Sequence, residues 1–193
     1  MQKVHRDDVL DIAQYEKSRP EFRRRIIELK KNRRIQVGPI ITFVFENRDT
    51  VLFQIQEMIR TERIVDESAI NHEIETYNHL VPGSNELSAT MLIEITESSR
   101  IRETIAELLG INTGDSTRIE LGTKKIAASF DPGQSSEDRL SAVQYAKFHF
   151  DQNDRAPFLE GSQPIFLVID HPKYQHRAAI EGEVLSELRR DLL

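Results

Sequence analysis

The sequence predicts one α+β domain whose sheet is largely antiparallel and carries its helices mainly on one side. Two observations lead to this class. Helical periodicity dominates the first half of the chain, whereas strand-like patterns dominate the second half. No internal repeat, low-complexity tract or linker interrupts the 193 residues, a length that one domain can accommodate. Residues 1–193 are therefore predicted to form a single domain.

A basic pair of helices is predicted at the N-terminal end, over about residues 7–33. Asp7 or Asp8 can cap a short first helix. Pro20 stands where a second helix would begin, because proline is favoured in the first helical turn. Gly38 and the proline after it then end the helical pattern.

The remaining elements follow from the period of the apolar residues. Strands are predicted at 40–46, 87–95, 117–121, 124–130, 142–150 and 164–170, and helices at 49–64, 67–80, 98–110 and 178–191. Gly122 and Thr123 predict a type II′ hairpin turn, because glycine takes the positive φ that its first position needs. The segment 165–169 is apolar on both faces, which predicts a central strand.

The absence of cysteine excludes disulfides, thiolate-ligated metals, cysteine-ligated iron–sulfur clusters and a cysteine nucleophile. The first residues lack the apolar core of a signal peptide. No apolar run approaches the ~20 residues of a membrane span. We therefore expect a cytoplasmic protein without a membrane partner.

The net charge of −6 conceals a basic N-terminal end. Residues 1–34 contain eleven Lys or Arg and six Asp or Glu, whereas residues 35–193 contain fifteen and twenty-six. Either the basic end pairs with the acidic remainder of the same fold, or it contacts an acidic partner. No aromatic ladder or basic, glycine-rich repeat accompanies it, so we predict no binding to nucleic acid.

Three residues of one predicted helix have the spacing of a metal site: His72, Glu75 and His79. Their arc lies opposite the apolar stripe of that helix, so we expect it to face water, and we predict neither a bound metal nor another cofactor. His171 ends an apolar strand before Pro172, a place where open sheets often carry binding groups. His171 is therefore a candidate binding residue, with a structural hydrogen-bonding role as the alternative.

Charges on the inner faces of three predicted helices form the main candidate site. Helical projection places Glu62, Glu73 and Arg33 among apolar neighbours, where charges are rarely left unpaired. With the Tyr77 hydroxyl they are predicted to form one interior polar cluster, in which Glu73, Glu62 and Tyr77 are the candidate catalytic residues. The candidate binding residues around it are Arg33, Arg25 and Asn78. A purely structural ion-pair network is the alternative.

Short segments from about residue 3 to 174 share an order and spacing that cover nearly the whole chain. They are Tyr15-Glu16, Arg19-Pro20-Glu21-Phe22-Arg23, Val37-Gly38-Pro39, Gln54-Ile55-Gln56-Glu57-Met58, Arg60-x-Glu62-Arg63, Glu73-x-x-x-Tyr77-Asn78, Leu80-x-Pro82, Ala89-Thr90-Met91-Leu92-Ile93-Glu94, Ser141-Ala142-Val143 and Asp170-His171-Pro172. This pattern resembles the bacterial family called domain of unknown function 3501. Members of that family often look like neighbours of rubrerythrin and of iron–sulfur cluster-binding oxidoreductase subunits. The resemblance therefore implies a part in redox or peroxide defence, with a protein of such a system as the partner.

Two functions remain open. The first is a cytoplasmic accessory or interaction protein of a redox or peroxide-defence system, which needs no catalytic residues of its own. The second is a small-molecule enzyme or sensor in which a carboxylate of the Glu62–Glu73–Tyr77 cluster acts as general base, or the carboxylate pair holds a hard cation. A pocket with converging polar groups would favour the second, and a filled cluster beside an exposed apolar patch would favour the first. Copies of the chain could also associate with one another, and the sequence does not decide this.

Overall fold

A nearly closed, eight-stranded antiparallel sheet organises the fold, with the strand order β1-β2-β3-β8-β5-β4-β9-β10. The computed structural model describes residues 1–136 and 139–193. The strands of this sheet are β1 (Arg34–Val37), β2 (Ile41–Glu46), β3 (Glu86–Ile93), β4 (Thr117–Leu121), β5 (Lys124–Phe130), β8 (Val143–His149), β9 (Ile165–His171) and β10 (Tyr174–Ala179). Two short strands, β6 (Ser135–Ser136) and β7 (Arg139–Leu140), pair separately. The predicted α+β class with an antiparallel sheet is confirmed.

Six α-helices accompany the sheet within the described part of the chain. They are α1 (Ile12–Lys31), α2 (Arg48–Glu62), α3 (Glu67–Asn78), α4 (Ile101–Glu107), α5 (Gln152–Glu160) and α6 (Gly182–Leu192). The first three lie together on one side of the barrel, α2 packing against both α1 and α3. The later helices lie around the two ends of the barrel, where strands finish and loops begin.

Alternation of side chains along the strands separates the interior of the barrel from its outer face. Phe43 and Phe45 of β2 point inward beside Leu87 of β3 and Phe148 of β8, and all four are fully buried. Side chains of this size fill a barrel of eight strands, so the interior is a packed core and not a channel.

Helical segments close both ends of the barrel. Leu188 and Leu192 of α6 join the interior apolar cluster at one end. Leu108 and Ile111, which follow α4, join the same cluster at the other end. The hydroxyl of Thr117 donates to the Ile111 carbonyl over 3.1 Å, which ties this turn to the start of β4.

A tyrosine joins the two strands at the ends of the sheet, β1 and β10. The Tyr174 hydroxyl donates to the Val37 carbonyl over 2.7 Å and accepts from the Ile40 N–H over 3.2 Å. Gly38 between them has φ +74°, and a Cβ there would lie 2.5 Å from the Tyr174 hydroxyl oxygen. Glycine is therefore required at this position for the barrel to close tightly.

A second apolar cluster packs α2 and α3 against each other and against the N-terminal segment, and Tyr145 of β8 packs against it. Its buried members are Val4, Val9, Val51, Ile55, Ile59, Ile70, Ile74, Leu80 and Val81. Within this layer the buried carboxylate of Glu46 accepts hydrogen bonds from Thr50 of α2, over 2.5 Å, and Thr90 of β3, over 2.7 Å. These bonds link the helical layer to the sheet without leaving the carboxylate unsatisfied.

The predicted pair of N-terminal helices over 7–33 is wrong. The structure has a single helix, α1, which continues through Pro20 and is preceded by a short 3-10 turn at Arg6–Asp8. Asp11 caps α1 by accepting from the Gln14 N–H over 2.8 Å. Proline removes one backbone hydrogen bond from a helix. Packing against α2 on both sides of Pro20 outweighs that loss.

Among the strands and α-helices of the described residues, five escaped the sequence prediction: β1, β6, β7, α5 and β10. The last helix also begins later than predicted, at Gly182, because 174–179 forms β10. The predicted strands at 117–121 and 124–130 are confirmed at both ends, and Gly122 in the turn between them has φ +59°.

None of the helices in the described residues combines the length and the apolar character that crossing a membrane requires.

Candidate functional site

One carboxylate holds α1 against α2. Glu57 of α2 accepts from Arg19 Nε over 2.7 Å and Nη2 over 2.8 Å, and from the Tyr15 hydroxyl over 2.7 Å. The bond with Arg19 lowers the pKa of Glu57, while burial and the bond to Glu57 raise the pKa of Tyr15. Phe22 adds an edge-on contact with Phe53, with 5.5 Å between ring centroids. These contacts hold one side of α1 against α2, so the opposite side of α1 faces solvent.

Part of the basic N-terminal end pairs within the fold. The ion pairs are Arg6 with Glu67, Arg19 with Glu57, Lys31 with Glu28, Arg33 with Asp191 and Arg34 with Glu94. All but the Lys31 pair reach acids beyond residue 34, so the predicted pairing with the acidic remainder is confirmed for those four cations.

The other cations of α1 differ. They are spread over the solvent-facing side of the helix, which they share with Glu16, Glu21 and Glu28, and we call these cations the basic face of α1. They are Lys17, Arg23, Arg24, Arg25 and Lys30. None of them forms an ion pair with any residue that the structure describes. Arg25 lies over the Phe22 ring, 4.9 Å from its centroid. Four of the five are exposed and Lys30 is half-buried, so their charges project into solvent.

An open groove of about 770 Å³ runs along the flank of α1 beside the basic face. Its lining residues are Leu10, Ser18, Glu21, Phe22, Arg24, Arg25 and Glu28. Leu10 is 38% exposed although it is large and apolar. The groove therefore combines an apolar floor, formed by Leu10 and Phe22, with a charged rim.

The structure brings together the three candidate catalytic residues at the contact of α2 with α3. Glu73 and Tyr77 are half-buried, and Glu62 is exposed. Burial raises the pKa of Tyr77, and the charges of Glu73 and Glu62 raise it further, although a hydrogen bond with the Gln54 side chain opposes the shift. None of the three lines the groove on α1 or two cavities that adjoin α4, one beside Tyr174 and one beside Leu140. Glu62 is the last residue of α2 and is exposed there, so the predicted interior position is wrong for this residue.

The predicted participation of Arg33 and Arg25 in that cluster is wrong. Arg33 is fully buried at the junction of α1 with β1, where it pairs with Asp191 and Glu187 of α6. It also donates to the Phe45 carbonyl over 2.9 Å. Arg25 belongs to the basic face of α1. Helical projection did not apply to Arg33, because α1 ends at Lys31.

Two further candidates have structural partners. The Asn78 amide accepts from the Val4 N–H over 2.8 Å and donates to the Val4 carbonyl over 2.9 Å, which fixes the N-terminal segment. The buried ring of His171 bonds through Nε2 to the Leu109 carbonyl over 3.0 Å, and its Nδ1 accepts from the Lys173 N–H over 3.3 Å. His171 thus ties the turn after α4 to the end of β9.

The histidine set on α3 does not converge. His72 and Glu75 are exposed, as the helical projection predicts. His79 instead turns toward the sheet, where its ring meets Tyr145 with 5.5 Å between centroids. Within the described residues, no group of three His, Asp or Glu side chains is placed to hold a metal ion.

These features define a class: an α+β barrel protein with three helices on one side, whose α1 carries a basic face without an ion pair among the described residues. The chain belongs to the family described as protein of unknown function DUF3501, whose model matches residues 3–192. The resemblance seen in the sequence is thereby confirmed.

A crystal structure shows the same fold. The protein, of unknown function and from Burkholderia pseudomallei, is 30% identical in sequence and superposes with a TM-score of 0.91 over 100% of both chains. No functionally curated protein matches this chain.

Glu57 was not singled out as a site residue by sequence reasoning. Its signal was present, because Tyr15 and Arg19 stand four residues apart and therefore face the same way on α1. A basic residue and a tyrosine on one helical face predict a shared acceptor. Which acid that acceptor is depends on the packing of α1 on α2.

Proposed function

We propose that the protein is an accessory protein that binds an acidic surface of a partner protein through the basic face of α1. The observation that carries this proposal is the set of five neighbouring cations without an ion pair among the described residues, on a helix that Glu57 holds in place. Like charges held together repel one another in the free protein, and an acidic partner relieves that repulsion.

The groove beside the basic face supports the same proposal. Apolar anchors in a groove supply most of the affinity of an interface, whereas charges around it steer and orient the encounter. Leu10 and Phe22 offer the apolar contact, and Arg24 and Arg25 offer the charge. The partner segment is accordingly expected to carry several carboxylates and at least one large apolar side chain.

The partner is proposed to be a protein of a cytoplasmic redox or peroxide-defence system. Support for this part comes from the resemblance to proteins that are neighbours of rubrerythrin. Catalysis would then belong to the partner, and this chain would contribute binding. Rubrerythrin from the same organism is the first partner to test.

Binding of purified rubrerythrin to the full chain tests the proposal by calorimetry over a range of salt concentrations. The double variant Arg23→Glu with Arg24→Glu reverses two charges of the basic face. We expect it to bind about tenfold more weakly or worse, and we expect wild-type affinity to fall steeply with salt. The matched control is Arg102→Glu with Lys125→Glu, which makes the same charge change at exposed cations elsewhere. No binding by the wild type, or equal loss in both double variants, would refute the proposal.

The alternative function, a small-molecule enzyme or sensor based on Glu62, Glu73 and Tyr77, has one supporting observation. The two carboxylates raise the pKa of Tyr77, so the three groups do interact. They line neither the groove on α1 nor the cavities beside α4, however. Binding through α1 is therefore the better supported function.

A further inference from the structure

A cavity of about 330 Å³ lies beside the seam of the barrel, at the end that α4 covers. The residues around it are Pro39, Ile40, Ile95, Thr96, Glu97, Arg100, Thr104, Glu107, Leu108, Lys173, Tyr174 and His176. They come from the β1–β2 turn, the segment after β3, α4 and the start of β10. The mouth of a β-barrel is a common place for a small-molecule site, and this volume falls within the range of such sites.

One wall of the cavity is a polar stripe on α4 and the turn before it. Glu97, Arg100, Thr104 and Glu107 follow one another at steps of three and four residues, so they share one helical face. Within the described part of the chain, the side chains of Glu97, Arg100 and Glu107 have neither an ion pair nor a hydrogen bond. Exposed charges of both signs, without a partner among the described residues, therefore face the same space.

The opposite wall is built around Tyr174. Tyr174 uses its hydroxyl in the two bonds that close the barrel, and its ring lies 4.5 Å from that of His176. Gly38 packs so closely behind them that a Cβ would come within 2.6 Å of the His176 ring. Lys173 adds an ammonium group that likewise has no side-chain partner among the described residues.

The charges in the cavity define the ligand. Arg100 and Lys173 would bind a carboxylate, and Glu97 and Glu107 would bind an ammonium group. A simple anion would leave the two carboxylates without an opposite charge. A simple cation would leave the two basic groups without one. Ile40 and Leu108 offer apolar contact between the two sets.

We propose that this cavity binds a zwitterionic ligand, namely a free α-amino acid or the termini of a short peptide. Binding here does not involve α1, so this site and the proposed partner surface can be tested separately. The sequence indicates one wall of this site, because the stripe from Glu97 to Glu107 has helical spacing. It does not indicate the opposite wall, which comes from residues 39–40 and 173–176.

Thermal unfolding of the full chain with each proteinogenic α-amino acid and with dialanine provides the first test. The proposal expects at least one of them to raise Tm, by about 3 °C when its concentration is about ten times Kd. Calorimetry then compares that compound with its N-acetyl and its carboxamide derivatives, each of which lacks one charge. Both derivatives are expected to bind at least about tenfold more weakly. If no compound raises Tm, or if either derivative binds as well as the parent, the proposal is wrong.

Variants locate the site. Arg100→Ala and Glu107→Gln should each weaken binding about tenfold or more, by removing the partner of one ligand charge. Arg102→Ala and Glu103→Gln are the matched controls, because both residues are exposed on α4 and do not line the cavity. Should Arg100→Ala fail to fold, Lys173→Ala on the other wall makes the same test. Equal effects in cavity and control variants would overturn the assignment.

Discussion

Removal of Arg33 is expected to destabilise the protein more than removal of any exposed cation. Its side chain is 1% exposed, and that of Asp191 is 4% exposed. Arg33→Met would leave the Asp191 carboxylate buried without its partner, together with the Phe45 and Glu46 carbonyls that Arg33 now bonds. Breaking a buried ion pair from one side costs about 3–5 kcal/mol. For a chain of this length, the loss corresponds to a fall in Tm of about 10 °C.

The loss should also depend on pH. Burial raises the pKa of Asp191, and the Arg33 charge opposes that shift. A folded-state pKa above the unfolded value means that the native state holds the proton more tightly, so this carboxyl lowers stability as pH rises between the two values. Without Arg33 the folded-state pKa of Asp191 rises further. The deficit of Arg33→Met should therefore be smallest near pH 4 and grow toward neutral pH.

Urea unfolding at several pH values measures both effects. Arg34→Met is the matched control, because the neighbouring Arg34 pairs with Glu94 at the surface, where such a pair contributes about 0–1 kcal/mol. Adding Asp191→Leu to Arg33→Met should restore part of the lost stability, since it removes the uncompensated charge. The reasoning is refuted if Arg33→Met is as stable as Arg34→Met, or if its deficit does not change with pH.

Two further changes test the seam of the barrel and the α2–α3 cluster. Gly38→Ala should lower the free energy of unfolding by about 1–3 kcal/mol, because it combines a positive φ with a Cβ placed 2.5 Å from the Tyr174 hydroxyl oxygen; an unchanged urea midpoint would contradict this. Glu73→Gln should lower the pKa of Tyr77 by removing one of the two carboxylate charges that raise it. Ultraviolet titration against Tyr77→Phe isolates that signal, and an unshifted titration would show that Glu73 does not act on Tyr77.

Predictions from the local sequence succeeded where an element buries one side, because its apolar residues then recur at a fixed spacing. The strands at 117–121 and 124–130 have the predicted limits, because apolar residues and a Gly turn identify them within a few neighbours. The same logic identified α2 and α3. It failed at Pro20, where contacts with α2 keep one helix intact across a residue that usually begins or ends one.

Whether the candidate residues come together depends on which helices pack against each other. Glu62, Glu73 and Tyr77 do meet, since their helices are consecutive and pack side by side. Arg33 does not join them, because its partner Asp191 lies 158 residues further along the chain. Wheel projection can identify a charge on an inner face, but it cannot identify the element on the other side of that face.

The sequence by itself determined the class of fold, most of the helices and strands, the basic character of the N-terminal end and the family. Those properties depend on composition and on spacing over a few residues. Tertiary structure alone decided that β1 and β10 meet, that Arg33 is buried beside α6, and that five cations of α1 have no ion pair with a described residue. It also placed the α4 stripe opposite Lys173. Contacts of this kind join residues far apart in the chain, so the spacing of residue types over a few neighbouring positions cannot indicate them.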